Sequence, residues 1–139
     1  MKKTVLIFIV IMILIQFIPS SQNNHAYILT KEISTPKNIM MMLRTSCYDC
    51  HSYETKWPSY SKIAPMSWFI SQNVNEGRIA LNFSLWSDYT KEEKEKKLKR
   101  IYQKVYSSMP LASYLLFHEE AKLSKKQREI IRTYTGVRR

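Results

Sequence analysis

Glycine is nearly missing: the chain has two in 139 residues. Hairpins and barrels rely on glycine at positive-φ turns, so this scarcity argues against β architecture and for helices. Acidic residues are also few, 11 against 22 basic ones, leaving a formal charge of +11. Such a surface can face nucleic acid, anionic lipid or an acidic protein. The charge is spread rather than bunched, and its densest stretch, KEEKEKKLKR (91–100), mixes both signs. It reads as a solvated helix face, with attraction to an acidic partner as the second reading. No internal repeat or low-complexity segment is present.

What the chain does contain fits helices: lysine, glutamate, leucine, isoleucine and methionine are plentiful. Its length suits one domain with a modest core. Residues 1–18 place Lys2 and Lys3 before an apolar run, Val5 to Ile18, broken only by Gln16. This is the pattern of a secretory signal peptide or an N-terminal membrane anchor. The run is short for a permanent span, yet no small-x-small cleavage site follows it, so cleavage and retention both stand. Either way the lysines stay cytoplasmic and the rest of the chain crosses. The expected location is the periplasmic side of the cytoplasmic membrane, which argues against a nucleic-acid partner.

Residues 19–34 are polar and aperiodic and read as a tether, ahead of a domain over 35–139. Thr35 and Pro36 open a helix carrying Ile39, Met42 and Leu43 into Cys47. Residues 52–65 read as an aromatic loop. Pro65 opens a second helix with Met66, Phe69, Ile70 and Val74 on one face. Residues 81–89 are irregular or a short helix. Thr90 and Glu93 form a capping box before a stripe of Leu98, Ile101, Tyr102, Val105 and Tyr106. Met109-Pro110 follows the stop of that helix. A last helix starts at Ser124, boxed by Gln127, with Ile130, Ile131 and Tyr134 inward and Gly136 just past its end.

Both cysteines lie in SCYDCH, residues 46–51. In C-x-x-C-H, two thiolates can add to the vinyl groups of one haem, and the following imidazole then lies beneath the iron. Covalent haem on Cys47 and Cys50, with His51 as iron ligand, is the favoured reading. Three others compete. A thiol-redox pair normally follows a strand, and none is readable here. Zinc needs four ligands, and only His25 and His118 remain to join these three. A disulfide across two intervening residues closes too small a loop to stabilise much.

For the second iron ligand, Met109 leads because it follows a helix end and precedes a proline. Met40 to Met42 lie too close to the attachment site, Met66 sits on a core stripe, and His25 is in the tether. His118 stays open as an alternative.

The blocks CYDCHSYETKWPSYSKIAPMSW, EGRIALNFSLW and MPLASYLLFHEEAKLS resemble the haem-binding domain family of small c-type cytochromes, in that order from about Met42 to the end. The resemblance implies an all-α, small c-type cytochrome-like domain: about four helices around one covalent haem c. It implies Cys47 and Cys50 as thioether donors, His51 as proximal ligand and Met109 as the distal iron ligand. Asn82, Trp86, Tyr114 and His118 fall on motif positions. A histidine often stands in such relatives where this chain has Asn73, and its absence removes bis-histidine ligation here. The implied role is a one-electron carrier with a redox partner protein, not an enzyme. The alternative is a haem enzyme or a gas or peroxide sensor with an open iron position.

Overall fold

The computed structural model describes residues 1–136. It is all-helical, with seven α-helices and no strand among the described residues. In chain order these are α1 (Lys2–Leu14), α2 (Lys37–Ser46), α3 (Tyr48–His51), α4 (Met66–Ala80), α5 (Lys91–Ser107), α6 (Ala112–Leu115) and α7 (Lys125–Tyr134). The four helices expected in the domain are α2, α4, α5 and α7; α3 and α6 are single turns that add to them.

α1 has 13 residues, all but one of them exposed, and among the described residues no helix is long and apolar enough to cross a membrane. Thirteen residues rise only about 20 Å, against a hydrocarbon layer of about 30 Å. The helix end is fastened to the domain by Gln16, which donates to the Ala64 carbonyl at 3.1 Å and accepts from the Ala64 amide at 2.9 Å. Residues 19–34, expected as a tether, run along the domain. Asn24 donates to the Thr55 carbonyl, Tyr27 to Glu54, and Ile33 enters the core at 2% exposure.

α2 buries Ile39, Met42 and Leu43, the i, i+3, i+4 pattern of one helix face. Pro36 is its N-cap rather than its first residue. These side chains meet Phe83, Val105, Leu123 and Ile131 in one cluster, with Trp86, Ile101, Ile130 and Tyr134 packed around it. Both expected capping boxes are formed: Thr90 with Glu93 at α5, and Ser124 with Gln127 at α7. Gly136 follows α7 at φ +69°.

Two expected faces differ from the structure. On α4 the buried side chains are Ser67, Ser71 and Val74, while Met66 and Phe69 are exposed. α4 closes on α3 and on the 3-10 turn Ser59–Lys62. So close an approach admits small residues, while Met66, Phe69, Ile70 and Val74 together line a cavity beside Cys50 and Tyr114. On α5, Val105 is buried, but Tyr106 is exposed and donates to Glu129 of α7 at 2.6 Å.

The box at α5 sets where the long helix begins and hence where its far end leaves Met109. Thr90→Ala should cost about 1 kcal/mol of stability, read as a lower urea midpoint with unchanged slope.

Candidate functional site

α2 ends at Ser46, Cys47 leaves the helical region at φ −131°, and α3 begins at once. The Cys50 and His51 amides both donate to the Cys47 carbonyl, at 3.2 and 2.9 Å. This one turn puts Cys47, Cys50 and His51 on the same side, at i, i+3 and i+4. Tyr48 faces the other way. It stacks on Phe83 at 5.3 Å and donates to Glu32 at 2.7 Å, so the turn is nailed to the core from behind.

His51 is held by the end of α4. Its Nδ1 lies 2.9 Å from the Gly77 carbonyl and 3.1 Å from the Leu81 carbonyl. Carbonyls only accept, so Nδ1 carries the proton and donates, and Nε2 keeps its lone pair. Nε2 has no partner among the described residues. Burial holds the ring below the usual histidine range, more than the two carbonyl bonds raise it. A neutral imidazole with a fixed tautomer is what a metal ligand requires.

The approach of α4 to this turn depends on Gly77. A Cβ there would lie 2.4 Å from the Cys50 carbonyl oxygen and 3.2 Å from the Cys50 Cβ. No other residue type fits without moving α4 or α3. Arg78, next along, ties the loop after the turn: its guanidinium donates to the Ser52 carbonyl at 2.8 Å, to Thr55 Oγ1 at 2.8 Å and to Asn24 at 2.9 Å. Asp49 also folds that loop back, accepting the Lys56 amide at 3.0 Å and the Tyr114 hydroxyl at 2.7 Å. Gly77, Arg78 and Asp49 were missed by residue-level reading, although Gly77 and Arg78 stand in the E-G-R block.

Two adjoining cavities, about 270 and 400 Å³, share Cys47, His51, Ala80 and Met109 as walls. The smaller adds Cys50 and the Pro110–Leu111 segment, and the larger adds one face of α5. Cys47, Cys50, His51 and Met109 therefore converge. His118 does not line either cavity. Its Nε2 is 2.7 Å from the Tyr60 hydroxyl, its Nδ1 is 3.1 Å from Glu120, and its ring stacks on Tyr114 at 4.3 Å. His25 packs edge-on against Tyr53, and Met40 and Met42 belong to the core region. Met66 and His118 line a third cavity, which shares Asp49, Cys50, Asn73, Leu111 and Tyr114 with the smaller one. Asn82 caps the 3-10 turn Phe83–Asp88 and Trp86 packs on Phe83, so these motif positions support the site from behind. Asn73 lines the smaller cavity.

The thiols are unbonded, and burial pushes Cys47 up to about 12 and Cys50 up to about 11. Reactive exchange cysteines have depressed values and electropositive surroundings, the reverse of this pair. Among the described residues no three His, Cys, Asp or Glu side chains gather as a metal cluster. The donor set is thus two neutral thiols and one neutral imidazole facing a large apolar-walled space. That set fits a macrocycle carrying its own metal.

A family model described as a haem-binding domain matches residues 10–136. The match begins well before Met42 and takes in residues 19–34. No curated protein and no solved structure matches the chain.

Gly77→Ala should destabilise the protein by about 1–3 kcal/mol in urea unfolding, because the collision is with backbone. The neighbouring Glu76→Ala, on a surface position, should stay within about 0.5 kcal/mol.

The buried His51 also predicts a pH dependence. An unfolded histidine takes a proton near pH 6.5, while the folded ring resists it. The unfolded state then binds more protons below that pH, so stability falls as pH drops through it. Without cofactor, unfolding titrations from about pH 8 to about pH 5 should show a loss of at most about 1.4 kcal/mol per pH unit, flattened by His51→Gln. Glu54 acts in a lower window, near pH 4. Although burial raises it, bonds from Arg44 and Tyr27 hold it below the usual carboxylate range.

Proposed function

The chain belongs to the haem-binding domain family, and from that premise we propose that it is an exported one-electron carrier with a single covalent haem c. In this reading Cys47 and Cys50 form the thioethers, His51 is the proximal iron ligand and Met109 the distal one. The observation that carries it is the His51 tautomer: Nδ1–H is spent on the Gly77 and Leu81 carbonyls, leaving Nε2 free beside both cysteines and Met109.

When bound, haem supplies an iron centre that takes up and releases one electron. The protein residues do the rest. The carbonyl bonds to His51 strengthen the imidazole as a donor and fix its ring plane. The thioether of Met109 favours the reduced state relative to a second imidazole. Phe83, edge-on to His51 at 6.3 Å, and Leu81 keep water from the proximal side. If His51 and Met109 both hold the iron, no position would be left for substrate, and transfer to another protein would be the remaining use.

The partner we propose is an acidic redox protein, drawn by the +11 charge and met outside the cytoplasm. Lys2, Lys3 and the apolar α1 support export across, or attachment to, the cytoplasmic membrane.

The test is the visible spectrum of protein exported from a host with c-type maturation. Colour should survive denaturation and be lost in Cys47→Ala/Cys50→Ala. A far-red sulfur-to-iron band should be present and vanish in Met109→Ala, which should also lower the reduction potential. Rapid carbon monoxide binding by the reduced unmutated protein would instead establish an open iron position and the sensor or enzyme alternative. Colourless protein with two alkylatable thiols would end the haem c reading.

A further inference from the structure

The cavity wall formed by α5 carries charge that electron transfer through the iron does not call for. Lys97, Arg100 and Lys104 border the larger cavity together with Cys47, His51 and Met109. At i, i+3 and i+7 they form one stripe along the helix. Lys97 is half-buried; its ammonium donates to the Ala80 carbonyl at 2.9 Å and lies 4.2 Å over the Tyr89 ring.

None of the three has a carboxylate at ion-pair distance among the described residues, although other cations nearby do. Lys96 pairs with Glu92, Arg44 with Glu32 and Glu54, and Arg132 with Glu129. The carboxylates at the site, Asp49 and Glu76, border the smaller cavity and are absent from the wall of the larger one. Both are already engaged there, Asp49 by Tyr114 and Glu76 by the Gln72 amide. The site is therefore polarised: acid engaged by its neighbours at one end, and base with no carboxylate partner among the described residues at the other. Cys50 borders the acidic end and is absent from the wall of the basic one.

We propose that Lys97, Arg100 and Lys104 form a carboxylate cradle that receives the two propionate groups of the haem. This rests on the haem c reading and extends it. The cysteines hold the vinyl edge of the macrocycle, and the cradle takes the opposite, anionic edge. Together they decide which way round the ring lies. Arg100 offers a planar fork suited to one carboxylate, and the two ammonium groups serve as point charges around the other. Cations beside the propionates offset negative charge near the iron and so favour its reduced form.

The test uses the full-length haem-loaded protein and compares two double variants with equal loss of charge. One is Arg100→Gln/Lys104→Gln in the cradle. The other is Lys99→Gln/Lys126→Gln, at exposed positions on α5 and α7 outside both cavities. Two quantities are read: the reduction potential by spectroelectrochemistry, and the propionate bending band by resonance Raman. The cradle pair should lower the potential and shift the band, and the control pair should move neither. If the cradle pair matures poorly, Arg100→Gln alone is read by the same band. Equal behaviour of the two pairs, in protein whose haem is covalently attached, overturns the cradle alone. Unmutated protein that carries no haem overturns both readings.

Discussion

Everything at this site hangs on two backbone carbonyls that accept from one imidazole nitrogen. Gly77 and Leu81 lie on either side of the last turn of α4, and both aim oxygen at His51 Nδ1. Fixing that proton fixes the free lone pair on the other nitrogen, and with it the direction in which the site can bind a metal. The bond is possible only because α4 comes within van der Waals contact of the cysteine turn. That contact is possible only because residue 77 has no Cβ. The small side chains Ser67 and Ser71 on the same helix follow from the same demand. A larger apolar face would have packed more surface but held α4 further from α3.

The surrounding loops are recruited to keep this contact from opening. Arg78 reaches from α4 to three separate stretches, 23–24, 52 and 55, and its burial lowers its own basicity. A guanidinium can serve these four acceptors because it presents five donors in a rigid plane, which an ammonium cannot reproduce. Asp49 works from the opposite side, sitting inside the C-x-x-C-H motif yet bonding outward to Lys56 and Tyr114. The variable positions of the motif are thus structural: Tyr48 faces the core and Asp49 the loops, while the three chemical residues share the remaining side.

What was legible in the sequence was local. Cys47, Cys50 and His51 come together through one helical turn, and both capping boxes close over three residues, so spacing alone predicts them. The helices α2, α5 and α7 carry enough periodic residues to be read. What was not legible depended on distant partners. α3 and α6 are four residues each, too short for any period. Met66 and Phe69 have core-like spacing but line an open cavity with Ile70 and Cys50 instead of the core, because proximity to α3 rather than hydrophobicity chose the buried face of α4. Ile33 lies in an aperiodic segment, and only the fold shows it against Phe83, whose carbonyl its amide meets at 3.0 Å. Gly77 stands in a helix with no turn to explain it. Its reason lies 27 residues upstream, at Cys50.

The two sides of the site differ in how firmly they are built, and the difference has a physical origin. On the His51 side an imidazole meets backbone: the ring donates to the carbonyls of a helix end, with Phe83 and Tyr48 packed behind it. Nothing there rests on exposed charge, so salt does little to it. The Met109 side is the run-out of α5. Its amide donates to the Lys104 carbonyl at 2.8 Å, but its position is otherwise inherited from where a helix of 17 residues ends. That end is set by a cap at Thr90 and by the packing of Val105 on the core. A small rotation of α5 about that anchor displaces Met109 while leaving His51 in place. If iron binds as proposed, the distal bond is then the one that yields to strain or to a competing ligand, and the proximal bond is the one that persists.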